Sequence, residues 1–190
     1  MKQTSYARIH NGAVARGFTL LELLVTFAVA GILTAIAVPA FNSFLLNDRD
    51  TGQVNSLVMS LNYARSEAVK RDVAGGITVC PSTNGTSCSG GTSWVGGWIV
   101  VWQGDPNPAN EPLQAVPALA GNNTLTVTGA ATGITFLSSG LVQQTVLTTM
   151  TVCDPRGAAY AHELEINATG RVVASQTVGQ TVSGTPLVCP

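Results

Sequence analysis

Gly17-Phe18-Thr19-Leu20-Leu21-Glu22-Leu23-Leu24-Val25 opens a stretch that decides the architecture of this 190-residue chain. From Phe18 to Val38 there are 21 residues, and Glu22 is the one charged member. At roughly 1.5 Å per residue such a helix is about 30 Å long, enough to cross the hydrocarbon core of a bilayer. A carboxylate inside that segment costs about 2.5–3.5 kcal/mol at mid-membrane, less near an end, and calls for a partner. A cut between Gly17 and Phe18 would supply one: a new α-amine four residues before Glu22.

Residues 1–17 carry Lys2, Arg8, Arg16 and His10 and no acid. Positive charge directly before an apolar run keeps that end on the cytoplasmic side. A secretory signal places its small-residue cleavage site after the apolar stretch; here the small residue, Gly17, comes before it. Gly-Phe-Thr-Leu-x-Glu-Leu resembles the class III leader of type IV prepilins. The resemblance implies that a prepilin peptidase cuts after Gly17 and methylates Phe18. Pro39 fits the same pattern, in which a proline bends the helix near the end of the membrane segment.

Hydrophobic residues make up 45% of the chain and charged residues 10%, well below the roughly 25% charge of an ordinary soluble domain. Without residues 1–17, six basic side chains stand against ten acidic ones, a net charge of −4. That balance speaks against a nucleic-acid binder. Cys80, Cys88, Cys153 and Cys189 all lie beyond the apolar helix, in what would be an oxidising compartment, and read as disulfides. Three pairings are open. The turn-rich insert between Cys80 and Cys88 favours a local loop, and Cys189 could then staple the C-terminal end to Cys153. Tight C-x-x-C pairs and histidine ligands are lacking, so no metal is expected.

Leu45, Val54, Leu57, Val58, Leu61, Ala64 and Ala68 recur at three- and four-residue spacing, which continues the helix to about Asp72 as an amphipathic segment. Glu67 pairs on one face with Lys70 or Arg71. Gly52 and the polar Asn47–Asp50 stretch are expected to loosen its middle, with Asp48 and Asp50 on a solvated face. After Gly75-Gly76 the pattern changes. Ile77–Cys80, Trp98–Trp102, Leu125–Val127, Ile134–Leu137, Thr149–Cys153, Glu163–Asn167 and Val172–Ser175 read as short strands between Gly, Pro, Asn and Asp. Trp98–Trp102 is apolar enough to be buried on both faces, and Pro106–Pro117 reads as an irregular loop. His162, beside Glu163, falls in an expected edge strand. No convergent acid, base or nucleophile is visible, so neither an enzyme nor a cofactor is expected.

Four further motifs, in order, resemble the GspH/FimT family of minor pilins and pseudopilins: Leu61–Arg71, Gly97–Val100, Cys153–Gly157 and Ile166–Val172. The resemblance implies an α+β, type IV pilin-like fold, a long N-terminal helix packed on a β-rich head. It divides the chain into a leader (1–17), a transmembrane helix (18–41), an amphipathic segment (42–72) and a head (73–190). It implies assembly with other minor pilins or pseudopilins and a major pilin, from the bacterial inner membrane with the head in the periplasm, into a pilus or pseudopilus tip. Some FimT-like pilins capture DNA through a Gly-Arg-x-Arg loop. This chain keeps Gly170-Arg171 but has Val173 where the second arginine would fall, and the head carries two cations against five acids. DNA capture is therefore not expected of it.

Overall fold

The computed structural model describes residues 17–72, 75–102 and 112–190; the leader thus lies, but for Gly17, outside the described residues. A single helix, α1, runs Leu20–Arg71 for 52 residues. It starts where the Thr19 hydroxyl accepts the Glu22 N–H at 3.2 Å, one half of a Thr-x-x-Glu capping box. Glu22 in the first turn and Lys70 and Arg71 in the last complement the helix dipole. The helix stops at Asp72, whose φ of +47° is left-handed and cannot propagate a right-handed helix. The polar Asn47–Gly52 stretch does not interrupt it. Neighbouring turns supply enough intrahelical bonds, and of the two aspartates expected on a solvated face Asp48 is exposed while Asp50 is buried.

Two compact units divide the chain, the first ending at Asn42 and the second spanning Ser43–Pro190. In the first, every described side chain is exposed. In the second, Val54, Leu57, Leu61, Ala64 and Ala68 of the predicted stripe are buried, while Val58 is half-buried and Leu45 is exposed.

Two antiparallel four-stranded sheets complete the second unit. The first contains β1 (Ile77–Pro81), β2 (Trp98–Trp102), β3 (Gln114–Val116) and β5 (Ile134–Phe136) in the order β3-β2-β1-β5. The second contains β4 (Thr124–Thr128), β6 (Thr148–Cys153), β7 (His162–Ile166) and β8 (Val172–Ala174) in the order β4-β6-β7-β8. Leu57 and Leu61 share one core with Val79, Trp98 and Phe136 from the first sheet and Met150, Leu164 and Ile166 from the second. Two buried indoles find the partners that burial calls for: the Trp98 indole donates to Ser60 Oγ at 3.0 Å and the Trp94 indole to the Ala131 carbonyl at 2.7 Å.

The structure corrects three local expectations. Gln114–Val116 is a strand, not loop, because β2 is buried at Trp98, Ile99 and Val100 and needs a backbone partner on its outer side. Pro117 ends that pairing; residues 103–111 lie outside the described ones. β2 itself is buried on both faces only up to Val100, with Val101 and Trp102 half-buried. His162 sits on β7, an inner strand between β6 and β8, and is half-buried.

Leu61→Ala removes a fully buried side chain from the floor shared by both sheets and is expected to lower unfolding stability by about 2–5 kcal/mol. Met59→Ala, two residues away but 61% exposed, is expected to stay within about 0.5 kcal/mol. Denaturant titration followed by tryptophan fluorescence measures both.

Candidate processing and assembly segment

Gly17, Phe18 and Glu22 lie together at the start of α1, and all three are exposed. A Cβ built on Gly17 would meet nothing within 4 Å among the described residues. Space in the described fold therefore does not demand glycine at this position. Phe18 is 78% exposed and Leu20 82%, and the apolar side chains continue exposed through Phe27, Ile32, Ile36 and Phe41. This stretch is long and apolar enough to cross a membrane. So large a continuous apolar surface belongs in lipid or against other helices.

Inside that surface, polar groups are satisfied locally wherever the backbone allows. Thr26 donates to the Leu23 carbonyl at 2.8 Å, and Thr34 to the Ala30 and Gly31 carbonyls at 2.8 and 3.0 Å. Two groups stand out. Pro39 has no N–H, so the Ala35 carbonyl loses its helical donor. The Glu22 carboxylate makes no hydrogen bond or ion pair among the described residues.

The head is fastened at several points. Cys80 pairs with Cys88 and Cys153 with Cys189, at Cα–Cα separations of 5.6 and 6.0 Å. Gly170 closes the β7–β8 turn: its N–H donates to the Asn167 carbonyl at 2.9 Å, and the Arg171 N–H donates to Asn167 Oδ1 at 3.1 Å. Arg65, on α1, holds this turn and its neighbour, donating to the Gly140 carbonyl at 3.0 Å and the Thr169 carbonyl at 3.2 Å. Gly170 has φ +75°, and a Cβ there would collide with the Gly140 carbonyl. Gly170 is thus required by backbone geometry, while the Arg171 side chain is exposed to solvent. Arg156, the other head cation, is engaged by Asp154, Asp50 and Asn47 and lies 4.0 Å from the Tyr160 ring centroid.

Sequence reasoning missed Arg65 and Asp50 as fasteners. Asp50 is only 2% exposed. Burial first, then the facing Asp154, pushes its carboxyl above the ordinary range, against hydrogen bonds from Asn123 and Arg156. Burial also works to raise Asp154, but hydrogen bonds from Arg156 and Asp50 outweigh it and hold that carboxyl low. Burial lowers the His162 imidazole, opposed by the same two aspartates. Glu67 is held low by Arg71, at 2.6 Å, and by Lys70.

Gly170→Ala, forced into a left-handed φ and into the Gly140 carbonyl, should cost more than about 1 kcal/mol, measured as a shift in the denaturation midpoint. Cys189→Ser opens a loop of 36-residue separation and should cost about 2–4 kcal/mol under oxidising conditions, with little further effect of reductant on that bond.

Comparison with known proteins agrees with this arrangement. The family described as Type II transport protein GspH matches residues 53–170, more than half of the chain. The prokaryotic N-terminal methylation motif matches residues 13–38, which include Gly17, Phe18 and Glu22. Two crystal structures of the type IV minor pilin FimU of Pseudomonas aeruginosa are similar, with TM-scores of 0.55 and 0.58 at 21% and 22% identity. They cover 74% and 77% of this chain and 99% of theirs, and share its fold. The type IV major fimbrial protein FimA of Dichelobacter nodosus is 34% identical over 71 residues, 37% of this chain and 44% of its own. Fimbrial protein Q of Moraxella bovis is 43% identical over 42 residues, 22% of this chain and 27% of its own. The chain thus spans less than half the length of these fimbrial relatives. With a methylation motif at the head of an exposed apolar helix and the family's match across the helix stripe and both sheets, the chain belongs to the GspH family of pilin-like proteins.

Proposed function

We propose that this chain is a minor pilin that primes filament assembly at the tip of a type IV pilus. The observation that carries the reading is Glu22: one carboxylate without a partner among the described residues, on an apolar helix whose processing would expose an amine four residues away. In this reading residues 1–17 are removed by a prepilin peptidase and Phe18 becomes N-methylated. Residues 18–41 then anchor the subunit in the bacterial inner membrane, residues 42–72 form the amphipathic part of the helix, and residues 73–190 form the periplasmic head. On assembly, Glu22 neutralises the α-amine of a neighbouring copy's Phe18, in a water-poor environment where losing one partner of a buried ion pair costs about 3–5 kcal/mol. Pro39 adapts the helix near the end of the membrane segment, and the two disulfides hold the head once it is exported. The work of the chain is structural: it contacts other minor pilins and the major pilin.

A second reading, a GspH-type pseudopilin of a type II secretion pseudopilus, is favoured by the description of the matching family as a type II transport protein. Loss of surface filaments on deletion supports the pilus reading; loss of secreted enzymes with intact pili supports the pseudopilus. DNA capture has one exposed cation in the head, Arg171, to work with, and two phosphate contacts at most would release few counterions. Fluorescence anisotropy with duplex DNA is expected to give negligible binding at physiological salt, and sub-micromolar binding lost in Arg171→Ala would reverse that conclusion.

Gly17→Leu is expected to retain the leader, read by intact mass of the membrane fraction. Glu22→Ala is expected to be processed and inserted normally yet be depleted at least about tenfold from sheared filaments, a loss of about 1.4 kcal/mol or more in assembly. Wild-type levels of Glu22→Ala in filaments would remove the proposed pairing.

A further inference from the structure

Asn84-Gly85 stands in the loop that Cys80 and Cys88 close between β1 and β2, and it is the one Asn-Gly pair in residues 18–190. Such a pair can modify itself. The backbone nitrogen of the second residue attacks the carboxamide carbon of the first, and glycine, with no Cβ, leaves that approach open. Here conformation, and not space, demands the glycine: φ is +71°, while a Cβ there would meet only Ala115 Cβ at 3.9 Å. Asn84 is exposed, so water and hydroxide reach it.

The folded loop nevertheless holds both reacting atoms. Asn84 Oδ1 accepts the Thr86 N–H at 2.9 Å and the Ser87 N–H at 3.0 Å, an Asx turn that fixes the carboxamide. Its Nδ2 donates to Ser87 Oγ at 2.9 Å. On the other side, the Gly85 N–H donates to Ser82 Oγ at 3.1 Å, and that hydroxyl donates in turn to the Ser87 carbonyl at 2.7 Å. Ser82 is 3% exposed and anchored, its N–H donating to the Gly97 carbonyl at 3.0 Å. Joining Asn84 Cγ to the Gly85 nitrogen draws Oδ1 off both of its N–H donors and takes the amide proton from Ser82. The ends of the loop resist that rearrangement: the Ser89 N–H donates to the Pro81 carbonyl at 2.8 Å, and the disulfide holds the Cα atoms of Cys80 and Cys88 at 5.6 Å.

We propose that Asn84 is a self-deamidation site, which the closed Cys80–Cys88 loop keeps silent and the open loop exposes. In the open loop hydroxide takes the Gly85 amide proton, the nitrogen bonds to Asn84 Cγ, and the Cγ–Nδ2 bond breaks. Nδ2 takes a proton from water and leaves as ammonia. Water then opens the cyclic imide: addition at Cγ gives aspartate, and addition at the main-chain carbonyl gives isoaspartate, whose main chain runs through Cγ. The loop is open before the disulfide forms, or after a dithiol reduces it. Cys88 is exposed and Cys80 only 1% exposed, so the attacking thiolate bonds to Cys88 Sγ and Cys80 leaves as a thiolate. The second thiol then releases Cys88 as the dithiol closes to its own disulfide. Deamidation adds an acid to a head with two basic and five acidic side chains, and removes the Nδ2 donor from Ser87. A chain that stays reduced is thereby marked irreversibly.

The test is incubation of the mature chain in non-ionic detergent micelles at mildly alkaline pH, with peptide mapping by mass spectrometry to read the amide-to-acid mass gain at each asparagine. With the disulfide intact, Asn84 should convert at least about tenfold more slowly than after reduction with dithiothreitol. Cys80→Ser/Cys88→Ser, which leaves Cys153–Cys189 in place, should match the reduced chain without any reductant. Ser82→Ala, which frees the Gly85 N–H while keeping the disulfide, should convert faster than the oxidised wild type. Fluorescence of buried Trp94 and Trp98 reports the folding of each variant, and the Ser82→Ala arm stands even if the cysteine variant unfolds. Equal rates in the closed and open loops overturn the proposal. So does a Ser82→Ala rate no faster than the wild type, or conversion of another asparagine ahead of Asn84 in the open loop.

Discussion

One helix has to satisfy two unlike surroundings, and the rest of the molecule follows from how it does so. Along Phe18–Asn42 it presents apolar side chains all round and is covered by nothing in its own unit. Along Ser43–Arg71 it narrows to a stripe, Val54-Leu57-Leu61-Ala64-Ala68, that both sheets use as a common floor. Ala64 and Ala68 are fully buried beside the two leucines in the same closely packed core. Neither four-stranded sheet could bury its inner face without that stripe, since the second sheet's Met150 and Leu164 and the first sheet's Val79 and Phe136 meet in the same cluster. Stability of the head is thus not separable from the helix that carries it.

The parts of this design that are readable from residues are those that repeat. The stripe on α1 is periodic, β4 and β6 are short segments set between turn residues, and β2 is an apolar run; each produced an element within about two residues of its observed bounds. The methylation motif matched at residues 13–38 is readable because Gly17 and Glu22 are exceptions to their surroundings. What is not readable rests on single long-range contacts. Nothing near Arg65 announces that its guanidinium will reach carbonyls 75 and 104 residues away. Asp50 looks solvated because it lies in a polar run, yet its rotation about the helix turns it inward, towards residues more than 70 positions distant. β3 is hidden because three residues between prolines carry no period, and its strand character comes from the edge of β2.

Gly170 illustrates how a shared dipeptide can be misread. Its left-handed φ and the carbonyl of Gly140 account for the glycine, and Arg65 accounts for the fixed position of the turn. No nucleic acid needs to be invoked for the glycine at position 170. The arginine that does the joining in this head is Arg156, whose cation is divided between Asp154 and Asp50 and covered by Tyr160.

The Cys153–Cys189 bond has a mechanical consequence. A pull on α1 would reach the head through the buried Leu57 and Leu61, which share a core with strands of both sheets. Once they yield, the chain between the two cysteines cannot extend: a separation of 36 residues withholds roughly 120 Å of extended contour. β7, β8 and the segment after them remain a closed loop whatever happens to the rest of the sheet. Tension applied across the two cysteines is therefore carried by the S–S bond, and residues 154–188 are not drawn out.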